Sequence, residues 1–400
     1  MDMDIWIEQT KFHQIALKKI RISPLNPKEC TIRNFLCYYQ ELACREYPNE
    51  AKMEKALLNL YDAKFSVFLS NYGSYSLLVY SLTAPDPHYI HDECYTIEIL
   101  EQAFESFCIP KMNQASADKA LFERAYEIYE SDLFALKENT AEVAYQNMIS
   151  LYFKGTPRDY ESLGNLKELK KITPKHLWEY YQKVIKEEAI SIGTGNKPSY
   201  EHLPVTLQPK KDYFFRKRNP KLSPLIQKPY ASEQCYLYIV YDLQLFADDP
   251  LYYAGCVFNQ LMGGGASSYL FRILREELGL CYSIHSSYYS TMGILLISAV
   301  LDEKNVQEGI QSIENIIEHV NPTAEDLEAA KAYTIGLIQT GEDAIDTKIW
   351  NYLKDTYFLD TPKSTEKIES FTLVRLADVK KVLQKLKKSF VYILGGAHER

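Results

Sequence analysis

Apolar residues recur with two different periods along this chain, and the switch from one to the other marks its elements. In ALLNLYDAKFSVFLSNYGSYSLLVYSL, from Ala56, a helical spacing gives way at a short turn to two runs in which aromatic or β-branched residues alternate with serine and other small polar residues. That pattern predicts two strands of a sheet with one wet face. The same order of helix, turn, strand, turn and strand returns in ILREELGLCYSIHSSYYSTMGILLISAVL, from Ile273. A second pair of segments matches as well. HLWEYYQKVIKEEAISIGTG, His176 to Gly195, and DVKKVLQKLKKSFVYILGG, Asp378 to Gly396, each run from a helical pattern bearing Lys or Arg into a short β-rich stretch ending in glycine. A weak repeat with a period of about 200 residues predicts two copies of one α+β unit.

Between the copies, Asn196 to Gln227 holds Pro198, Pro204, Pro209, Pro220 and Pro224 and the basic run KKDYFFRKRNPK. Proline suppresses both helix and central strand, so the expected division is an N-terminal domain at 1–196, a proline-rich basic linker at 197–227 and a C-terminal domain at 228–400. The linker's charge is that of a solvated segment.

Composition narrows the function. With 46% hydrophobic and 24% charged residues over 400 positions, the chain is ordinary globular protein of two-domain size. A net charge of −8, with basic and acidic residues interspersed, leaves no electrostatic footprint for nucleic acid. The start, MDMDIWIEQTK, has acids where a signal peptide needs basic residues, and the longest clean apolar run, Gly293 to Leu301, is too short to span a membrane. The expectation is a cytoplasmic protein with no membrane and no nucleic-acid partner. The eight cysteines contain no Cys-x-x-Cys pair, so reduced, mostly buried thiols are expected. Cys30, Cys37 and Cys44 recur every seven residues, two helical turns, as small core residues do.

The segment richest in signals is MGGGASSYLFRILREELGLCYSIHSS, Met262 to Ser287. Its glycines predict a close turn into a helix capped by Ser267 or Ser268, with Leu270, Phe271, Leu274 and Leu278 as the apolar stripe. Gly279 suits the C′ position, and Leu280 to Ser286 reads as a strand. No Gly-Lys-Ser/Thr follows the glycines, so they form no phosphate loop.

This stretch closely resembles the C-terminal half of insulinase/pitrilysin-superfamily peptidases: a glycine turn, then Ser-x-Leu-Phe, Leu-Arg-Glu, Gly-Leu and Tyr-Ser. The superfamily includes the mitochondrial processing peptidase subunits and short bacterial homologues encoded as pairs, some associated with elongation factor P modification. The spacing here is most similar to the short paired proteins. YESLGNLKELKKIT, Tyr160 to Thr173, and DLEAAKAYTIGLIQ, from Asp326, fit the resemblance too. It implies an α+β fold of two homologous insulinase-like domains, each a mixed, mainly antiparallel sheet packed with helices. It also implies that Arg275 and Tyr282, seven residues apart, match the pair that helps hold the substrate carbonyl at the zinc site. A guanidinium and a phenol are donors suited to negative charge developing on a tetrahedral intermediate. A purely structural account competes with this one. Positive charge is favourable in the last turn of a helix in any case, and Tyr282 could be a strand residue facing the core.

The superfamily's catalytic signature is missing. His-x-x-Glu-His, in which two imidazoles hold zinc and the carboxylate activates water, occurs nowhere, and neither does His-Glu-x-x-His. Glu46 to Pro48, EYP, resembles the Lys-Tyr-Pro that commonly follows the motif. That register places the pentad at Asn34 to Tyr38, where Asn34, Cys37 and Tyr38 form a degenerate zinc motif. No histidine stands between His13 and His88, so no shift of register restores it. Two other groups are candidate metal sites: His88, His91, Asp92 and Glu93, and the helix pair Glu127 and Glu130. The first lies just after Pro85 and Pro87, outside the family's helical context, and the second fits solvated helix residues.

The resemblance therefore implies a pseudopeptidase, the non-catalytic subunit of a heteromeric zinc metallopeptidase. It would have no metal of its own, zinc being expected in an insulinase-like catalytic paralogue bearing His-x-x-Glu-His. This chain would add chamber wall and the donors Arg275 and Tyr282, and the ligand would be a peptide or unfolded segment. The alternatives are a structural or peptide-recognition scaffold with no part in catalysis and, last, an autonomous metallopeptidase using the His88 group.

Overall fold

The computed structural model describes the whole chain except residues 1–2, 114, 197–209, 211, 233, 342–343, 359–363 and 397–400. Two compact units emerge, and neither is a single stretch of chain. The first comprises Met1–Glu138, Tyr160–Pro209 and Glu342–Tyr357, and the second Asn139–Asp159, Lys210–Gly341 and Phe358–Arg400. The expected domains at 1–196 and 228–400 thus each supply one segment to the other unit.

In the first unit, strands β1 (Ile5–Glu8), β2 (Gln14–Pro24), β3 (Lys64–Tyr72), β4 (Tyr75–Pro85) and β5 (Glu188–Gly195) form one sheet in the order β1-β5-β2-β4-β3. Only β1 and β5 run parallel. Along β2 the period-two rule separates two buried faces. Ile15 and Leu17 belong to the core that Phe35, Leu36, Leu100, Phe104 and Leu177 complete from the helices, while Ala16, Lys18 and Ile20 point the other way. The helix Ile345–Leu353 covers that second face, where Asp346 reaches the Nζ of Lys18 at 3.1 Å. Side-chain caps start several helices: Asn49 before Glu50–Asn59, Thr96 before Ile97–Phe107, and Thr173, with Pro174 behind it, before Pro174–Val184.

The second unit repeats the plan. Strands β6 (Leu225–Lys228), β7 (Gln234–Asp242), β8 (Cys281–Tyr289), β9 (Ile294–Asp302) and β10 (Lys387–Leu394) lie in the order β6-β10-β7-β9-β8, with only β6 and β10 parallel. The strands of each sheet thus follow one topology, as the sequence repeat predicts. One face packs on the helices Tyr252–Gly263, Val306–His319 and Leu376–Lys385 through Leu237, Ile239, Leu295 and Ile297. The other face carries the helix Thr140–Tyr152, capped by Asn139, and Tyr238 donates its hydroxyl to the Ala141 carbonyl at 3.3 Å.

Three local expectations are corrected. The expected solvated linker is packed on the second unit where it is described: Tyr213 and Phe215 are buried, Arg218 pairs with Asp242 at 3.2 Å, and its C-terminal end is strand β6, which pairs with β10; 197–209 and 211 lie outside the described residues. The helix from Met262 to Ser287 is wound with i→i+5 hydrogen bonds over Phe271–Glu277, Leu278 N donating to Ile273 O at 2.9 Å. Leu270 and Leu274 are buried as predicted, but Leu278 is 49% exposed because the chain leaves the helix there through Gly279 at φ +61°, and Ile273 packs on the core. Ser268 accepts Arg272 N through its carbonyl, not its hydroxyl. The glycine turn does serve close approach: a Cβ on Gly263 would stand 2.5 Å from the backbone nitrogen of Ser286.

Candidate functional site

The helix Cys30–Leu42 carries the three positions of the degenerate zinc motif and packs on the helix Lys119–Glu138. Asn34 is buried and its amide is spent on the backbone, donating to Cys30 O at 2.8 Å and Ser162 O at 3.0 Å. Cys37 is buried with its Sγ against Arg33 O, and desolvation pushes its thiol up to about 12, so no thiolate is present at neutral pH. Tyr38 stacks on Tyr129 with ring centroids 4.7 Å apart and donates its hydroxyl to Asp132 at 2.7 Å. Desolvation first, and the Asp132 carboxylate second, hold that phenol protonated. An amide, a thiol and a phenol in these states are not a zinc site, since zinc takes thiolate, imidazole or carboxylate. The residues do not fit the metal.

Behind the motif, Arg33 forms a two-pronged ion pair with Glu187 at 2.7 and 2.8 Å, both side chains buried. It ties the motif helix to the approach to β5.

Arg275 and Tyr282 flank the Gly279 turn between the Phe271–Glu277 helix and β8. Arg275 is exposed, with its guanidinium carbon 4.8 Å from the centre of the Phe271 ring. Tyr282 does not face the core. It is 54% exposed and donates to Asp302 Oδ1 at 2.8 Å. Each donor therefore has a local partner, and a tyrosine has only one O–H to give.

The other two candidate metal groups do not converge. His88 lies edge-on to Tyr89, and Asp92 accepts from the Tyr61 hydroxyl at 2.8 Å and from Cys94 N. Glu127 faces Arg124, and Glu130 accepts from Tyr126 at 3.4 Å. Among the described residues no three His, Cys, Asp or Glu side chains are arranged to hold a metal ion. Cys37, Cys44, Cys108 and Cys235 are buried, but Cys94 is exposed. No helix among the described residues is long and apolar enough to cross a membrane. Sequence reasoning missed Asp132 and Asp302, the partners of the two informative tyrosines. Asp132 lies far along the chain from Tyr38, Asp302 stands at the end of the strand paired with that of Tyr282, and an isolated aspartate on a helix or at a strand end carries no signal.

Residues 167–333 match the family described as Peptidase M16 inactive domain. A curated relative, the probable inactive metalloprotease YmfF of Bacillus subtilis (strain 168), is 23% identical over 333 residues, 77% of this chain and 74% of that one. Among solved structures, a conserved protein from Enterococcus faecalis V583 superposes with a TM-score of 0.87 at 21% identity, covering 100% of this chain and 98% of the other. A peptidase M16 inactive domain from Pseudomonas fluorescens gives 0.74 at 16% identity, over 98% and 95% of the two chains. A protease from Helicobacter pylori gives 0.74 at 12%, over 98% and 96%.

Proposed function

We propose that the chain, which matches the Peptidase M16 inactive domain over residues 167–333, is a non-catalytic member of the insulinase/pitrilysin peptidase superfamily and the non-catalytic subunit of a heteromeric zinc metallopeptidase in the cytoplasm. The observation that carries this reading is the contrast between two sets of positions. Asn34 and Cys37 are buried and Tyr38 is stacked on Tyr129, each bound to an internal partner, while Arg275 and Tyr282 are exposed on their unit, Tyr282 with its hydroxyl on Asp302. A paralogue bearing His-x-x-Glu-His supplies the metal and the base. This chain supplies chamber wall and two hydrogen-bond donors for the substrate carbonyl, which matter most as negative charge develops there. Tyr282 reaches such a carbonyl by rotating its hydroxyl off Asp302. Substrates are peptides or unfolded segments, for which a strand at a sheet edge such as β3 or β8 offers backbone groups.

A second reading has its own observation. The Tyr282–Asp302 bond and the Arg275–Phe271 stack are both local, as expected of a scaffold whose Arg and Tyr only hold the turn. Peptide cleavage by the paralogue, assayed with and without this chain, tests the proposal. Turnover that appears or rises only in the mixture supports it, and a paralogue equally active alone contradicts it.

A further inference from the structure

The second unit contains a pocket that plays no part in the site above. It has a volume of about 220 Å³ and lies where the helix Thr140–Tyr152 meets the sheet, lined chiefly by Glu142, Tyr145, Tyr238, His285 and Tyr289. This is below the roughly 300–1,000 Å³ of ordinary small-molecule sites and suits a single side chain.

Its walls are ordered from both sides. His285, Ser287 and Tyr289 are alternate residues of β8 and so share one face, and His285, Ser298 and Tyr238 stand in a row across three strands. Tyr145 and Tyr238 meet with centroids 6.3 Å apart at 60°, and Tyr145 and Tyr289 share a hydrogen bond. His285 Nε2 and Ser298 Oγ are 2.8 Å apart. Desolvation holds the imidazole below its usual value, so at neutral pH the ring adds no positive charge.

Among the described lining residues Glu142 alone is acidic. Gln146 donates to its Oε1 at 2.8 Å, and among the described residues no lysine or arginine pairs with it. Arg158 acts on the Tyr145 hydroxyl from outside the lining and lies over Phe215, 6.0 Å from its centroid. A carboxylate without a cation, beside three tyrosine rings whose faces are electron-rich, is the chemistry that binds ammonium or guanidinium.

We propose that this pocket receives the lysine or arginine side chain of a bound peptide. The peptide source follows from position. β8 is an edge strand of its sheet, so an extended segment beside it would turn every second side chain toward the face that lines the pocket. The inference rests on the peptide-recognition part of the proposed function and adds the substrate class.

The test uses the full chain and fluorescein-labelled extended peptides, identical except for a central arginine, lysine, citrulline or glutamate. Arginine and lysine peptides should bind about tenfold more tightly than the citrulline peptide, with the preference shrinking as salt is raised. Glu142→Gln should abolish the preference for arginine and lysine over citrulline. Tyr289→Leu, which leaves Glu142 in place, should reduce it independently, with circular dichroism confirming that both variants fold. Peptides that bind without charge preference, or a preference that survives both variants, would overturn this inference and leave peptide recognition standing. No peptide binding at all would overturn both. Ethylguanidinium held as tightly as the arginine peptide would assign the pocket to small cations and overturn the peptide assignment.

Discussion

The hydroxyl of Tyr38 donates to the carboxylate of Asp132 at 2.7 Å, joining two helices through the position that the sequence register gives to the second zinc imidazole. With Asn34 bound to backbone carbonyls and Cys37 held as a thiol, this contact leaves no ligand set. The purified chain should therefore hold no stoichiometric zinc and hydrolyse no peptide unaided, as checked by elemental analysis and a fluorogenic peptide assay. One equivalent of tightly held zinc, with activity lost in His88→Ala or His91→Ala, would contradict this.

The Arg33–Glu187 pair makes a prediction about stability. Both side chains are buried, so Arg33→Met strands the Glu187 carboxylate, and breaking a buried pair in this way costs about 3–5 kcal/mol. The double variant Arg33→Met/Glu187→Leu should be less destabilised than Arg33→Met alone. Urea denaturation of the three proteins checks the order.

Lys18 gives a pH dependence with a definite sign. Its side chain is wholly inaccessible, and desolvation lowers its pKa below the usual 10.5, with Asp346 opposing part of the shift. Between the folded pKa and 10.5 the unfolded chain binds more protons, so this group's contribution to stability rises with pH across that window. Lys18→Met should flatten the urea midpoint measured from about pH 7 to about pH 10 relative to the unmodified protein. Equal slopes in the two proteins would show that Lys18 is not the titrating group.

Limited proteolysis follows from the exchanged segments. Within the basic run KKDYFFRKRNPK, whose Tyr213 and Phe215 are buried, the exposed Arg216, Lys217 and Lys221 offer trypsin its first sites. Because Asn139–Asp159 belongs to the second unit and Glu342–Tyr357 to the first, the two products should co-elute under native conditions and separate only on a denaturing gel. First cuts inside Tyr160 to Thr173 or Met262 to Ser287 would contradict this division.

Much of the fold was legible because it rests on local pattern. The β3–β4 and β8–β9 pairs came from alternation, the Gly279 turn from glycine's freedom at positive φ, and the duplication from matching order. The exchanged helices were not legible. Ala144, Met148, Ile149 and Tyr152 give Thr140–Tyr152 an apolar stripe, but a stripe states that a face is buried without naming the sheet that buries it. At the site, the lost zinc ligands could be read from residue identity alone. The partner of Tyr38 could not, because Asp132 is brought to it only by the packing of two helices, and the partner of Tyr282 could not, because the register shift between Cys281 and Ser283 sets which β9 residue the tyrosine meets.

The central claim, that this chain lends donors to a partner's catalytic site, is tested most directly by the turnover of the assembled complex carrying Tyr282→Phe. The substitution removes the hydroxyl and its bond to Asp302 while keeping the ring. Rates are measured at saturating partner, with complex formation followed separately by sedimentation. Loss of one donor to a developing oxyanion should slow peptide cleavage about 10²-fold to 10³-fold with assembly unchanged. A complex that assembles normally and cleaves at the unmodified rate would contradict the claim and leave Tyr282 as a structural partner of Asp302.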